Sequence, residues 1–63
     1  MTQKELLYVE DAIGHEKAII NILNESISML KNEKLVNYLK KDLKEHEDIK
    51  KKLLHKLEGE SNE

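Results

Sequence analysis

The chain has 63 residues, of which 38% are hydrophobic, with 11 lysines, no arginine and 13 acidic residues, for a formal net charge of −2. This length allows one domain at most, and the lack of Cys excludes disulfides and thiolate metal ligands. No apolar run approaches the roughly 20 residues of a membrane span. No basic-then-apolar signal segment opens the chain, so we expect a cytoplasmic protein.

The first predicted helix covers about residues 3–30. Thr2-Gln3-Lys4-Glu5 has the form of a capping box, in which Thr2 caps the helix and Glu5 reaches back to the cap. Apolar positions then recur in alternating steps of three and four, which predicts one seam along a helix. The seam reads Leu6, Val9, Ile13, Glu16, Ile20, Leu23, Ile27 and Leu30, and is widened by Ala12, Ile19 and Ser26.

The second predicted helix covers about residues 33–58. Asn32 suits either the end of the first helix or the cap of the second. The second seam reads Leu35, Leu39, Asp42, His46, Ile49 and Leu53, and is widened by Val36, Leu43 and Leu57. Gly59 is typical of a helix end. We therefore expect a helical unit over residues 1–59 and a disordered acidic tail over residues 60–63.

The short link between the two helices predicts an all-α fold, an antiparallel two-helix hairpin. The charges agree, because residues 1–31 hold three lysines and five acids whereas residues 32–57 hold eight lysines and five acids. A single hairpin of this length makes a small core. We expect a homodimer of hairpins that forms a four-helix bundle, and a higher homo-oligomer such as a ring of hairpins stays open.

Two polar residues stand at seam positions where a core residue is expected. If the chain turns at Lys31, Glu16 and His46 lie level and face each other at mid-hairpin. Asp42 lies one turn before His46 on the same face. This set has two interpretations: a polar pair that fixes the register of the helices, or a metal site of Glu16, Asp42 and His46 for iron, manganese or zinc. His15, four residues after Asp11, is a further candidate ligand.

A family resemblance bears on this choice. Residues 5–17, which read ELLYVEDAIGHEK, are similar to the opening of short rubrerythrin-like and spore-coat-F-like proteins of spore-forming bacteria. With its mid-seam Glu16 and His46, the chain resembles half of a ferritin-like bundle. The resemblance implies two iron or manganese ions held by these residues, with an oxidase or storage role, or a spore-associated role. The ferritin-like Glu-x-x-His is absent, since Leu43 stands three residues before His46.

Three functions follow from these patterns. The first is a non-catalytic structural or interaction module, built as a homodimer and related to spore-coat proteins. The second, the alternative, is a ferritin-like metal-binding protein. The third is a regulatory partner whose exposed helix captures a helix of another protein. We expect no nucleic-acid binding, because arginine is absent and the net charge is negative, and no membrane binding. No phosphate loop or nucleophilic triad points to catalysis.

Overall fold

The computed structural model describes residues 1–61, with side chains described as far as Gly59. Two helices, α1 (Gln3–Met29) and α2 (Glu33–Ser61), pack against each other as a hairpin. The described residues contain no strand. The Cα atoms extend 47 × 14 × 12 Å, a shape one helix long, two helices wide and one helix thick. The predicted all-helical hairpin is therefore confirmed.

The first helix begins with the predicted capping box. The backbone N–H of Glu5 donates to the Thr2 hydroxyl at 3.1 Å, and the backbone N–H of Thr2 donates to Glu5 Oε1 at 2.8 Å. The hydrogen bond from the Thr2 backbone holds the pKa of Glu5 below its ordinary value. Two of the four N–H groups that a helix start leaves open are thus satisfied within the first turn.

The turn between the helices is made of Leu30, Lys31 and Asn32. Leu30 has extended backbone angles and ends α1, so the last predicted seam residue lies in the turn. Asn32 caps α2, because its side-chain oxygen accepts the N–H of Leu35 at 3.1 Å and its carbonyl accepts the N–H of Val36 at 3.0 Å. Asn32 thus begins the second helix rather than ending the first.

The second helix runs past its predicted end. It continues through Gly59 to Ser61, since no glycine of the described residues has the positive φ that ends many helices. The prediction of a disordered tail over residues 60–63 therefore does not hold for Glu60 and Ser61, whose backbone is helical. Residues 62 and 63 lie outside the described residues.

The helices pack along one seam each. In α1 the predicted seam faces α2, with Ile13 and Leu23 buried. In α2 most of the predicted seam is part-buried, namely Leu39, Asp42, His46 and Leu53, but Leu35 and Ile49 are 51% and 43% exposed and the next residues, Val36 and Lys50, pack instead. The part-buried positions of α2 that alternate by three and four residues are Val36, Leu39, Leu43, His46, Lys50, Leu53 and Leu57. A single neighbouring helix covers one such stripe and leaves the next in water.

Neither described helix combines the length and apolarity that a membrane crossing requires. Both are long, at 27 and 29 residues, but charged side chains recur along α2 and at both ends of α1.

Removing the cap of α2 should destabilise the hairpin. We expect Asn32→Ala to lower the free energy of unfolding by about 1 kcal/mol, because the N–H of Leu35 loses its acceptor. The control is Asn37→Ala, at an exposed position inside α2, where Ala is the better helix former and should be neutral or slightly stabilising. Urea unfolding of both variants at one protein concentration measures the difference, and equal midpoints would refute the cap.

Candidate functional site

The site begins with two seam residues at the middle of the hairpin. Glu16 of α1 and His46 of α2 face each other, and His46 Nδ1 lies 2.5 Å from Glu16 Oε2. Their side chains are 15% and 23% exposed, so the pair is largely screened from solvent by the flanking seam residues. Ile13 and Ile20 flank Glu16 on α1, and Leu43 precedes His46 on α2, so the pair interrupts a largely apolar contact. The predicted meeting of these two side chains is confirmed.

Asp42 approaches the other edge of the imidazole. It precedes His46 by one turn on α2, and its Oδ1 lies 3.7 Å from His46 Nε2. This distance is an ion-pair distance rather than a hydrogen bond. The Asp42 side chain is 40% exposed, so it lies between the part-buried pair and the solvent-facing side of the hairpin.

The carboxylates favour the charged imidazole. The hydrogen bond to Glu16 raises the pKa of His46 above 6.5, and the negative charges of Glu16, Asp42 and Glu45 raise it further, while partial burial acts in the opposite direction. A protonated His46 donates from both ring nitrogens, which suits a carboxylate on each side. The arrangement is therefore a charge-assisted contact between helices, of the kind that selects one register.

The same geometry tests the predicted metal site. A metal ion needs donors that converge on one point, including a free lone pair of His46. Here the two ring nitrogens point away from each other, and each faces a different carboxylate. Among the residues that the structure describes, no group of three or more His, Asp or Glu side chains could hold a metal ion. The Glu16, Asp42 and His46 of one hairpin do not fit an ion in this arrangement.

His15 and Asp11 lie elsewhere. Both are exposed on α1, where they line a shallow groove beside Gly14. A Cβ added at Gly14 would meet no atom within 4 Å, so this part of the surface is open. The structure does not bring His15 to the Glu16–His46 pair.

The hairpin also exposes a group of apolar side chains beside its packed seams. Seven apolar side chains on the flanks of the two seams form what we call the open face: Tyr8, Ile19, Ile22 and Met29 of α1, and Leu35, Tyr38 and Ile49 of α2. All except the part-buried Ile19 are exposed, from 43% for Ile49 to 75% for Met29.

The two flanks lie on the same side of the hairpin. Ile19 immediately precedes a seam position in α1, and Leu35 and Ile49 each precede one in α2. Because both helices are right-handed and run antiparallel, residues that precede the seam fall on the same side of each. Of the α1 flank, only Ile19 is among the residues expected to widen the seam. Tyr8, Ile22 and Met29 follow one another at 14 and 7 residues, multiples of the heptad, and this spacing is the signal that predicts the rest.

Comparison with known proteins finds no matching family model, no matching curated protein and no matching solved structure. The similarity of residues 5–17 to rubrerythrin-like and spore-coat-F-like proteins therefore stays a prediction. The Glu16–His46 pair and the open face are therefore the features that bear on function.

The raised pKa of His46 predicts a pH-dependent stability. A histidine whose pKa is higher in the folded protein stabilises the fold fully below its unfolded value, and this contribution is lost as the pH rises through the folded pKa. We expect the unfolding midpoint to fall as the pH is raised from about 6 through 8. Glu16→Gln keeps the shape but removes the charge, so its midpoint should change less over this range.

Urea unfolding at a fixed protein concentration measures this difference, and NMR titration of His46 supplies the pKa directly. The NMR value should be higher in the wild type than in Glu16→Gln. Identical pH profiles and identical titrations of the two proteins would rule out the pair as the source.

Proposed function

We propose that the chain is a non-catalytic helical module that works as a homodimer, in which two hairpins pack through their open faces into a four-helix bundle. The observation that carries this proposal is the exposure of the open face. Large apolar side chains such as Ile22 and Tyr38 are 61% and 70% exposed, while only Ile13 and Leu23 are buried among the described residues.

The energetics of a short chain favour such a dimer. A single core in a chain of this length rarely contributes more than about 3–5 kcal/mol, so that small folds need a further source of stability. Disulfides are excluded because the chain has no Cys. Burying the open face adds apolar area at about 25 cal/mol per Å², and a second copy carries the same face.

The polar pair gives this module one register. Glu16 and His46 satisfy each other only when α1 and α2 stand at the observed height, and a slip by one turn would leave a partly buried charge without its partner. The module thus presents a single arrangement of its open face. A rigid homodimeric unit of this kind suits a structural or interaction role, and the resemblance of residues 5–17 favours an assembly related to the spore coat.

Metal binding is the alternative function. It is favoured by the proximity of Glu16, Asp42 and His46 within one site. It requires these side chains to rearrange, or a second hairpin to add ligands, since one hairpin in the observed arrangement does not fit an ion.

A charge placed on the open face should break the homodimer. Ile22→Lys puts an ammonium group where the proposed interface buries an apolar side chain, so we expect the variant to be monomeric at concentrations where the wild type is dimeric. The matched control is Leu7→Lys, since Leu7 is 55% exposed but lies on the side of α1 away from both α2 and the open face.

Light scattering measures the mass against the 7.4 kDa of one chain. The wild type and Leu7→Lys should have about twice this mass, and Ile22→Lys about this mass. A monomeric wild type at high concentration would overturn the proposal and favour capture of another protein's helix. Loss of dimer in both variants would show that the open face is not the specific surface.

The structural module and the metal-binding alternative predict different effects of metal ions on the melting temperature. As a structural module, the protein should melt at the same temperature with a chelator and with added Fe(II), Mn(II) or Zn(II). A metal-binding protein gains RT ln(1 + [L]/Kd) in stability from its ion. A rise in melting temperature that disappears in His46→Ala would therefore replace the structural module with the metal-binding protein.

A further inference from the structure

Two hairpins can pack face to face in two ways. If the two-fold axis runs parallel to the helices, both turns lie at the same end, and α1 of one copy packs on α2 of the other. If the axis runs across the helices, the turns lie at opposite ends, and α1 packs on α1 and α2 on α2. All neighbouring helices are antiparallel in both arrangements, so helix packing rules alone do not choose between them.

The Glu16–His46 contact gives the heights needed for the comparison. Because these two residues are level, residues of α1 and α2 whose numbers total about 62 lie at the same height. When the turns are at the same end, this rule also applies between α1 of one copy and α2 of the other. When the turns are at opposite ends and the two hairpins overlap along their full length, the heights in the partner are reversed about Glu16 and His46, because these residues lie at the middle of the hairpin.

With the turns at the same end, most apolar residues of the two flanks meet apolar residues. Ile22 lies close in height to the partner's Tyr38, Ala12 to the partner's Ile49, and Met29 to the partner's Leu35. Two open-face residues meet charges instead, because Ile19 lies level with the partner's Asp42 and Tyr8 close to the partner's Lys52. All three open-face residues of α2 thus find apolar neighbours across the interface.

The polar residues on the same flanks also favour the arrangement with the turns at the same end. Glu5 lies level with the partner's Lys56, and His15 with the partner's Glu45. The net charges of the two segments favour the same arrangement. Residues 1–31, with three lysines and five acids, then pack beside residues 32–57 of the partner, with eight lysines and five acids. Complementary charge across an interface fixes the orientation of the two partners.

With the turns at opposite ends, α2 packs on α2 and the pattern fails. Asp42 then lies near the partner's Ile49, and Leu35 near the partner's Lys56. Glu45 lies near the partner's Glu45. The α1 flank finds apolar neighbours in either arrangement, because Ile22 meets the partner's Ala12 when the turns are at opposite ends. The neighbours of the α2 flank therefore decide between the two arrangements. Placing charges against apolar side chains is unfavourable.

We propose that the two copies pair with their turns at the same end, around a two-fold axis parallel to the helices. This inference rests on the proposed homodimer and specifies its partner surface: the α1 flank of the open face binds the α2 flank of a second copy. Glu5, His15, Glu45 and Lys56 act at its rim to set the orientation, and the apolar residues between them supply the buried area.

Distances between spin labels separate the two arrangements. The chain has no Cys, so Lys31→Cys in the turn provides one label site per copy. Turns at the same end place the two labels within roughly 25 Å, whereas turns at opposite ends separate them by about 40 Å, the length of these helices at ~1.5 Å per residue. Pulsed electron–electron double resonance measures distances in this range. The expected result is the short distance.

The control is Lys17→Cys, an exposed site beside Glu16 at mid-height, where both arrangements give similar, short distances. A long distance at Lys31→Cys with a short one at Lys17→Cys would overturn the same-end arrangement while leaving the homodimer intact. No dipolar coupling at either site, with a monomer mass, would overturn both the arrangement and the homodimer.

Discussion

The contact between Glu16 and His46 determines how the rest of the hairpin is aligned. At 2.5 Å it is a close, partly buried hydrogen bond between the two helices, and a buried polar group is costly when its partner is removed. The apolar seam positions around it are alike in size and would tolerate a slip by one turn. The polar pair would not, because a slip by one turn would separate the two partners and place His46 opposite an apolar residue of α1 such as Ile13 or Ile20. The heights of all flank residues follow from this one contact.

The second constraint is geometric: one helix covers one stripe of its neighbour. Both helices carry a second apolar stripe beside the packed one, and these stripes share one side of the hairpin. Exposed apolar residues that are scattered singly are ordinary, whereas here six large ones share one side of the hairpin, with charged residues such as Asp42 and Glu45 between them. The proposed homodimer would cover this face, since a second copy brings an identical surface.

Much of this fold could be predicted from the sequence. The capping box of Thr2 and Glu5, the apolar repeat of α1 and the meeting of Glu16 with His46 all follow from local spacing. Two positions of the packed seam of α2 could not be predicted correctly, because two stripes with the same period lie side by side. Leu35 and Val36 are both apolar, so the pattern does not show which of them packs against α1. At the next such point the pattern favours Ile49, but Lys50 is the part-buried residue, because a lysine can bury its aliphatic stem while its charge stays in water.

The candidate site was predictable in its members but not in its geometry. The sequence places Asp42 on the face of His46, yet spacing alone does not reveal that the two carboxylates flank opposite edges of the ring. That detail separates a charge-assisted pair from a metal site.

The most direct test is an isotope-filtered nuclear Overhauser experiment on an equal mixture of labelled and unlabelled chains, which detects only contacts between copies. The account predicts contacts between Ile22 of one copy and Tyr38 of the other. Contacts between copies that involve Leu7 instead, or no contacts between copies at concentrations well above those of the mass measurement, would contradict it.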